Sequence, residues 1–180
     1  MERYIALLRG INVGGKNKIA MADLKTGFAE LGYETVVTHL NSGNVVFSSA
    51  ADNVGMLTDA IQTMIIEKFE LNIPVFVISQ KELKNILDNA PDWWGGDDSK
   101  EIYDNLILLF PGLTYEEFCV EVGSPKDEYE KAHNYRNAIF WSFVCKDYQK
   151  TNWWSKTASS DVGSRITIRA ANTVRKITSI

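Results

Sequence analysis

The spacing of apolar residues predicts alternating strands and helices along the first half of the chain. Residues 3–9 are almost all apolar, which is typical of a strand in the interior of a sheet. Four apolar residues then recur at helical spacing: Met21, Leu24, Phe28 and Leu31. Gly32 follows, where a left-handed residue ends a helix. The next elements are a strand at 35–40, a strand at 45–47, a helix at 54–69 capped by Asp52 or Asn53, and a strand at 75–78.

The second half gives a similar order of elements. A connecting helix around 83–87 and a Pro- and Gly-containing linker at 91–96 precede it. Thr114 and Glu117 have the spacing of a capping box at the start of a short helix. The remaining predictions are strands at 102–110, 128–133, 137–144 and 165–169, a helix at 148–156, and a last helix from about residue 172.

Both halves therefore fit a β-α-β-β-α-β unit with an antiparallel sheet. The fold class predicted is α+β, with two ferredoxin-like repeats, a connecting helix and a C-terminal helix. We assign residues 1–80 to the first repeat, 81–100 to the helix and linker, and 101–180 to the second repeat with the C-terminal helix.

This topology predicts which loops are neighbours. When the first strand pairs with the third, the end of the first strand and the turn before the third share one sheet edge. The glycine loop at 10–18 and the turn at 41–44 should therefore face each other.

Composition favours a globular cytoplasmic protein. Hydrophobic residues make up 45% of the 180-residue chain and charged residues 23%. Neither a transmembrane stretch of about 20 apolar residues nor the pattern of a signal peptide occurs. The two cysteines, Cys119 and Cys145, form no disulfide framework, which agrees with a cytoplasmic location.

Charge is unevenly distributed although the net charge is only −4. Residues 1–25 and 145–180 are basic, and the section between them is strongly acidic. If the two ends met in space they would form a basic face, whereas scattered surface charges would serve solubility alone.

The glycine loop partly matches a phosphate-binding P-loop. Gly10, Gly15 and Lys16 have the required spacing, but Asn17 replaces the Ser or Thr that would hold magnesium. The helical pattern also begins several residues too late, near Met21. A nucleoside triphosphatase is therefore disfavoured.

A simpler anion site remains compatible with the loop. Glycines can expose successive backbone N–H groups as an anion nest, and nearby lysine, arginine and asparagine side chains would add charge and donors. The candidate residues are Arg9, Asn12, Gly14, Gly15, Lys16, Asn17, Lys18, Asn41, Ser42 and Asn44. The alternative is a structural loop, because glycine and asparagine are also the residues that turns require.

The C-terminal segment offers further candidates for the same ligand. Arg165 and Arg169 have the spacing of one strand face, and Asn172 or Thr173 could cap the last helix near an anion. Ordinary helix capping with surface arginines is the alternative interpretation.

A single-stranded nucleic-acid-binding module is the second functional hypothesis. RNA-recognition sheets stack bases on aromatics of the first and third strands, where Tyr4 and Phe47 are predicted. The basic-glycine-aromatic signature on the third strand is incomplete, which favours core positions for both rings. Trp93-Trp94 and Trp153-Trp154 are predicted to be buried, with a pocket wall for a planar ligand as the alternative.

No catalytic motif points to an enzyme class. Cys119 lies among apolar residues, and neither His39 nor His133 has a carboxylate or cysteine at metal-ligand spacing. The sequence contains no complete cofactor or metal motif, so none is predicted. A structural or interaction protein is the third hypothesis.

The segments 4–17 and 42–47 resemble an uncharacterised, mostly bacterial family, domain of unknown function number 1697. The segment 167–176 resembles the closing motif of the same family. The resemblance implies a cytoplasmic protein with two ferredoxin-like repeats and implies no activity. The chain departs from the family at His39, where an aromatic is usual, and at Ala170, where Asn commonly follows Arg.

Overall fold

The apolar strand predicted at the start of the chain lies in the interior of an antiparallel sheet. The computed structural model describes residues 1–96 and 101–180. Its first elements are β1 (Glu2–Leu8), α1 (Met21–Glu30), β2 (Glu34–His39), β3 (Asn44–Ser49), α2 (Val54–Phe69), β4 (Val75–Ser79) and α3 (Gln80–Asp88). The strand order is β2-β3-β1-β4, so β1 has a hydrogen-bonded neighbour on each side. The predicted β-α-β-β-α-β order of the first half is confirmed.

A second antiparallel sheet follows, with the order β6-β7-β5-β8. Its elements are β5 (Ile102–Leu109), α4 (Tyr115–Val122), β6 (Glu130–Tyr135), β7 (Ala138–Val144), α5 (Trp153–Ser159), β8 (Ile166–Ala170) and α6 (Ala171–Ser179), with 3-10 helices at Cys145–Lys150 and Asp161–Arg165. The α+β class with antiparallel sheets is therefore confirmed. The end of the predicted linker, residues 97–100, lies outside the described residues.

The chain divides into two compact units. The first unit contains Met1–Lys84 together with Ile177–Ile180, and the second contains Asn85–Lys176. Two hydrogen bonds explain why the last residues belong to the first unit. Arg3 Nη2 donates to the carbonyl oxygen of Ile180 at 3.1 Å, and Gln80 Nε2 donates to that of Thr178 at 3.0 Å.

The core of the first unit is formed by alternate residues of β1 and β3 against α1 and α2. Tyr4, Phe28 and Phe47 are at most 1% exposed, and the rings of Phe28 and Phe47 meet edge to face at 5.3 Å. The apolar stripe of α2 joins the same core through Leu57, Ile61, Met64 and Ile65. The helical spacing in the sequence therefore identified the buried face correctly.

Helix ends follow the predicted capping chemistry at three places. The Asn53 side chain accepts a hydrogen bond from Met56 N at 3.1 Å and caps α2. Thr114 and Glu117 form the reciprocal capping box at the start of α4. Gly32 has a φ of 80°, which is the left-handed conformation expected after α1.

The continuous helix predicted at 148–156 is wrong, because the chain changes direction within it. Thr151 is extended, with φ −65° and ψ 153°, and separates the 3-10 helix Cys145–Lys150 from α5. The Glu130 carboxylate draws the start of α5 toward β6. It accepts hydrogen bonds from Asn152 N at 2.6 Å and from Trp153 N at 3.4 Å.

Glu130 is the main polar group in the core of the second unit. It is only 2% exposed, and it also accepts hydrogen bonds from Lys126 N at 2.9 Å and Trp141 Nε1 at 3.0 Å. Four N–H donors thus replace the water that a carboxylate loses on burial. The contact joins β6, β7, the start of α5 and the loop before β6.

No helix within residues 1–96 and 101–180 combines the length and hydrophobicity that a transmembrane span requires.

We expect Glu130→Gln to lower the free energy of unfolding by about 3 kcal/mol, because hydrogen bonds to a charged acceptor contribute roughly 1.5–3 kcal/mol each and an amide NH₂ would face N–H donors. Urea denaturation followed by tryptophan fluorescence measures this loss. Glu121→Gln removes the same charge from an exposed position on α4 and should change stability by less than about 0.5 kcal/mol. Equal stability of the two variants would contradict the role given to Glu130.

Candidate functional site

The glycine loop and the turn before β3 lie against each other at one edge of the first sheet. In the antiparallel register Leu7 pairs with Asn44, and Leu8 N donates to the Gly43 carbonyl oxygen at 2.8 Å. The Asn12 side chain also reaches the Asn41 carbonyl oxygen at 2.9 Å. The predicted proximity of the two segments is therefore confirmed.

The glycine loop is itself a small hairpin. Asn12 N donates to the Asn17 carbonyl oxygen at 3.1 Å, and Lys16 N donates to that of Val13 at 3.0 Å. The two central residues, Gly14 and Gly15, have φ values of 58° and 77°. Positive φ at both central positions is the signature of a type I′ turn, which glycine adopts without steric cost. A nest would instead alternate right- and left-handed residues, so these two glycines form a turn.

The Asn12 carboxamide fixes the loop at its base. Its Oδ1 accepts a hydrogen bond from Ile19 N at 2.9 Å, and its Nδ2 donates to the Ile19 carbonyl oxygen at 2.9 Å. The same Nδ2 makes the bond to Asn41 described above. One side chain therefore closes the loop and joins it to the turn. Asn12 adopts a φ of 55°, which asparagine tolerates better than most residues.

Asn17 and Asn44 of the predicted site also bond to the backbone of their own segments. Asn17 Nδ2 donates to the Gly10 carbonyl oxygen at 2.9 Å. Asn44 is fully buried, and its Nδ2 donates to the His39 carbonyl oxygen at 2.9 Å and to Ser42 Oγ at 3.0 Å. These amide donors hold the loop and turn in shape, as the structural interpretation of the sequence expects.

Gly43 allows the close approach between the turn and β1. Its φ is 76°, and a Cβ at this position would lie 2.7 Å from Leu8 Cβ and 2.9 Å from Ile11 Cδ1. Any larger residue would push the turn away from the strand. At Gly14 and Gly15 a Cβ would meet nothing within 4 Å, so those glycines are required by their backbone angles alone.

Two of the three predicted cationic side chains are exposed to solvent and have no partner among the described residues. Lys16 and Lys18 are exposed and form neither a hydrogen bond nor an ion pair through their side chains within the described part of the chain. Arg9 is half-buried at the end of β1, and burial lowers the pKa of its guanidinium from the usual value. The lysines can therefore meet an anion without first breaking another contact.

The backbone N–H groups of Gly14 and Gly15 are also available to bind an anion. Neither group donates a hydrogen bond to any residue that the structure describes. Two adjacent unpaired donors thus lie at the tip of a loop whose base is fixed, with Lys16 and Lys18 on its returning arm.

The C-terminal candidates belong to the second unit, and the two arginines among them donate hydrogen bonds within it. Arg165 Nη2 donates to the Gly112 carbonyl oxygen at 2.9 Å, and Arg169 Nη1 donates to Thr167 Oγ1 at 2.9 Å. Arg165 ends a 3-10 helix and precedes β8, so the prediction that it shares a strand face with Arg169 is wrong.

Helix α6 begins at Ala171, directly after β8. Asn172 and Thr173 therefore lie inside its first turn and do not precede it, and the predicted capping role is wrong. The strand runs into the helix without the intervening loop residue that the sequence interpretation assumed.

A P-loop is excluded by the course of the chain after Lys16. The chain turns back through Asn17 toward Gly10, and α1 begins only at Met21 after the residue Ala20, which has no capping side chain. In a P-loop the lysine opens the helix whose N–H groups hold the phosphate. Here the lysine lies on the arm of a hairpin.

Aromatic residues divide into buried and exposed sets. Tyr4 and Phe47 belong to the first core, as favoured over base stacking. Trp94 and Trp153 are also buried, and their indole N–H groups donate to the carbonyl oxygens of Asn105 and Gly123. Trp154 is 44% exposed, so the prediction of burial is wrong for this residue.

The sequence did not predict a role for Ile19, whose backbone N–H and carbonyl groups both bond to the Asn12 side chain. It also gave Asn41 a side-chain role, whereas the contact that the structure shows is through its backbone carbonyl. An Asn at the start of a glycine-rich segment between a strand and a helix is the one sequence signal for a side chain that closes the loop in this way.

The fold and loop define an α+β protein with a fixed glycine hairpin at one sheet edge. The family described as protein of unknown function (DUF1697) matches residues 1–140, and the chain belongs to this family. The resemblance found in the sequence motifs is confirmed.

Among solved structures, the conserved bacterial protein SP0830 from Streptococcus pneumoniae is similar along its whole length. The two chains share 31% sequence identity with a TM-score of 0.85. The match covers 99% of this chain and 97% of the other. The comparison with curated proteins gives no match.

We expect Asn12→Asp to lower the free energy of unfolding by about 2 kcal/mol, because the amide donors to Ile19 and Asn41 are lost and a carboxylate oxygen faces two carbonyl oxygens. Urea denaturation measures the change. Asp keeps the size and the tolerance of positive φ, so the effect isolates the donors.

Asn41→Asp is the matched control, since it adds the same charge to an exposed side chain without a hydrogen bond in the described residues. It should leave stability within about 0.5 kcal/mol of the parent. A similar loss of stability in both variants would show that the added charge, and not the loss of the Asn12 hydrogen bonds, destabilises the protein.

Proposed function

We propose that the protein binds a small phosphate-bearing anion at the tip of the glycine hairpin. The ligand groups are the side chains of Lys16 and Lys18 and the N–H groups of Gly14 and Gly15. The observation that carries the proposal is that these four groups lie on one short loop and have no partner within the described residues.

Comparison of the two units supports a role for the loop beyond connecting β1 to α1. In the first unit, residues 9–20 connect the first strand to the first helix. In the second unit, residues 110–114 make the equivalent connection between β5 and α4. The same strand-to-helix step is therefore possible with fewer than half as many residues. The additional residues of the first unit form the hairpin with its lysines.

The energetic arrangement of the loop also supports binding. Immobilising a flexible loop costs entropy, which is subtracted from the affinity for a ligand. The Asn12 and Asn17 side chains and the Val13–Lys16 turn bond supply that order in the free protein. A loop fixed at its base, with unbonded N–H groups and exposed cations at its tip, is suited to anions.

The proposal reduces the roles of several predicted residues. Asn12, Asn17 and Asn44 act by shaping the loop and turn, and Ser42 supports Asn44. Arg9 would contribute positive potential from the end of β1. Arg165, Arg169, Asn172 and Thr173 stay candidates for anion binding in the second unit, and the ligand proposed here does not require them.

We further propose that the chain contains two ferredoxin-like repeats, residues 1–80 and 101–180, joined by residues 81–100. The support is that both sheets have the order in which the first strand is flanked by the third and the fourth. We assign the protein to the cytoplasm, because Cys119 and Cys145 are both free thiols.

Isothermal titration calorimetry with inorganic phosphate, pyrophosphate and ribose 5-phosphate tests the proposal. We expect saturable binding of at least one, weakened about tenfold or more in Lys16→Ala/Lys18→Ala, because two charge contacts near a surface together contribute more than about 1.4 kcal/mol. Stability should be unchanged, since both side chains are exposed.

Lys25→Ala/Lys81→Ala is the matched control, as it removes two exposed lysines outside the loop from the same unit. Its affinity should stay within about twofold of the parent, because neither side chain lies on the hairpin and exposed charges away from a site are screened by salt. Absence of saturable binding, or equal weakening by both double variants, would refute the proposed site.

A further inference from the structure

An open aromatic cavity is formed by residues of the second unit. It has a volume of about 390 Å³ and is lined by Tyr103, Phe143, Cys145, Tyr148 and Trp154. This volume falls within the range of small-molecule sites, roughly 300–1,000 Å³. Four of the five lining side chains are aromatic.

The rings that line the cavity differ in their exposure to solvent. Phe143 is only 4% exposed and forms the floor, whereas Tyr103 and Trp154 are 46% and 44% exposed. Phe140 and Trp141 of β7 are, by contrast, almost completely buried. Two large rings left half open beside one buried ring therefore form a surface that can bury further apolar area.

The rings surround the cavity at fixed angles. The Tyr103 ring lies 5.7 Å from that of Phe143 at an interplanar angle of 33°. On the other side, the Trp154 ring lies 5.6 Å from Phe143 at 74°. Tyr148 packs against Trp154 edge to face at 5.0 Å.

Backbone contacts hold each wall in place. Tyr103 of β5 and Phe143 of β7 are directly paired residues of neighbouring strands. Trp154 follows the two residues whose N–H groups bond to the buried Glu130 carboxylate, and its own N–H donates to Thr151 Oγ1 at 3.3 Å. The cavity is thus shaped before any ligand enters, which reduces the entropy lost on binding.

We propose that this cavity binds a flat heteroaromatic ring of the nucleobase class. A planar ring can stack on the open face of either Tyr103 or Trp154, meet the other ring at its edge, and cover Phe143. The Tyr103 and Tyr148 hydroxyls and the Cys145 thiol offer hydrogen bonds to ring nitrogens or exocyclic oxygens.

The lining residues favour a neutral ring over an organic cation. No carboxylate is among the five lining residues, and the nearby Asp147, on the 3-10 helix that carries Tyr148, is paired with Lys150 at 2.8 Å. The rings also contact one another at 5.0–5.7 Å and leave no box of opposed faces around a quaternary ammonium group. The proposal is independent of the phosphate site, because a nucleoside without phosphate contains the whole recognised group.

Titration of the full chain with adenosine, followed by ligand-observed NMR, tests the proposal. We expect saturable binding that Trp154→Leu weakens about tenfold, since stacking on one ring contributes roughly 1–3 kcal/mol. Trp154→Phe keeps a ring and should lose clearly less. Tyr103→Leu, on the opposite wall, gives a second reading if the Trp154 variants unfold in a thermal melt.

Two further ligands identify the source and class of the ring. Binding of adenosine and of an eight-residue oligoadenylate with equal affinity would support a free nucleoside or nucleotide, and tighter, salt-sensitive binding of the oligomer would support single-stranded nucleic acid. Tetramethylammonium should not bind. Failure of adenosine to saturate, unchanged affinity in Trp154→Leu and Tyr103→Leu, or binding of tetramethylammonium in place of adenosine would each overturn the proposal.

Discussion

The antiparallel pairing of β1 with β3 is the constraint on which the candidate site depends. Its register places Leu7 opposite Asn44, so that the chain leaving β1 and the chain entering β3 meet at one edge. Gly43 permits this approach because any Cβ there would collide with Leu8. The Asn12 carboxamide then uses the proximity to bond both arms of the glycine loop and the neighbouring turn.

Different kinds of hydrogen bond hold the loops of the two units in place. In the first unit, neutral carboxamides bond to backbone groups at one sheet edge, where the Asn12 and Asn17 bonds compete with water and Asn44 is buried. In the second unit, one buried carboxylate collects four N–H donors from separate segments. The first arrangement leaves lysines and backbone donors facing solvent, and the second supports an aromatic wall. Each ordered region thus supports a different candidate surface.

Local patterns in the sequence predicted much of the fold, and long-range contacts explain the errors. Apolar spacing located β1, α1 and α2, and the Thr114–Glu117 spacing located the start of α4, because these depend on neighbouring residues. The break at Thr151 could not be predicted, since it follows a bond between Asn152 and Glu130, which are distant in sequence. The exposure of Trp154 depends on the same anchored helix. In the candidate site, the residue types were enough to identify the loop. Only the hydrogen bonds of the structure showed that the asparagines hold the loop in shape and that the lysines face solvent.

The central claim is that the tip of the glycine hairpin binds phosphate-bearing anions, and amide chemical shifts measure this most directly. In a titration of ¹⁵N-labelled protein with pyrophosphate, the account predicts saturable shifts of the Gly14 and Gly15 amide signals with one common dissociation constant. The amide signal of Gly32, an exposed glycine after α1 with a φ of 80°, should not move. Unshifted Gly14 and Gly15 signals, or weak unsaturated shifts shared by Gly32, would contradict the claim.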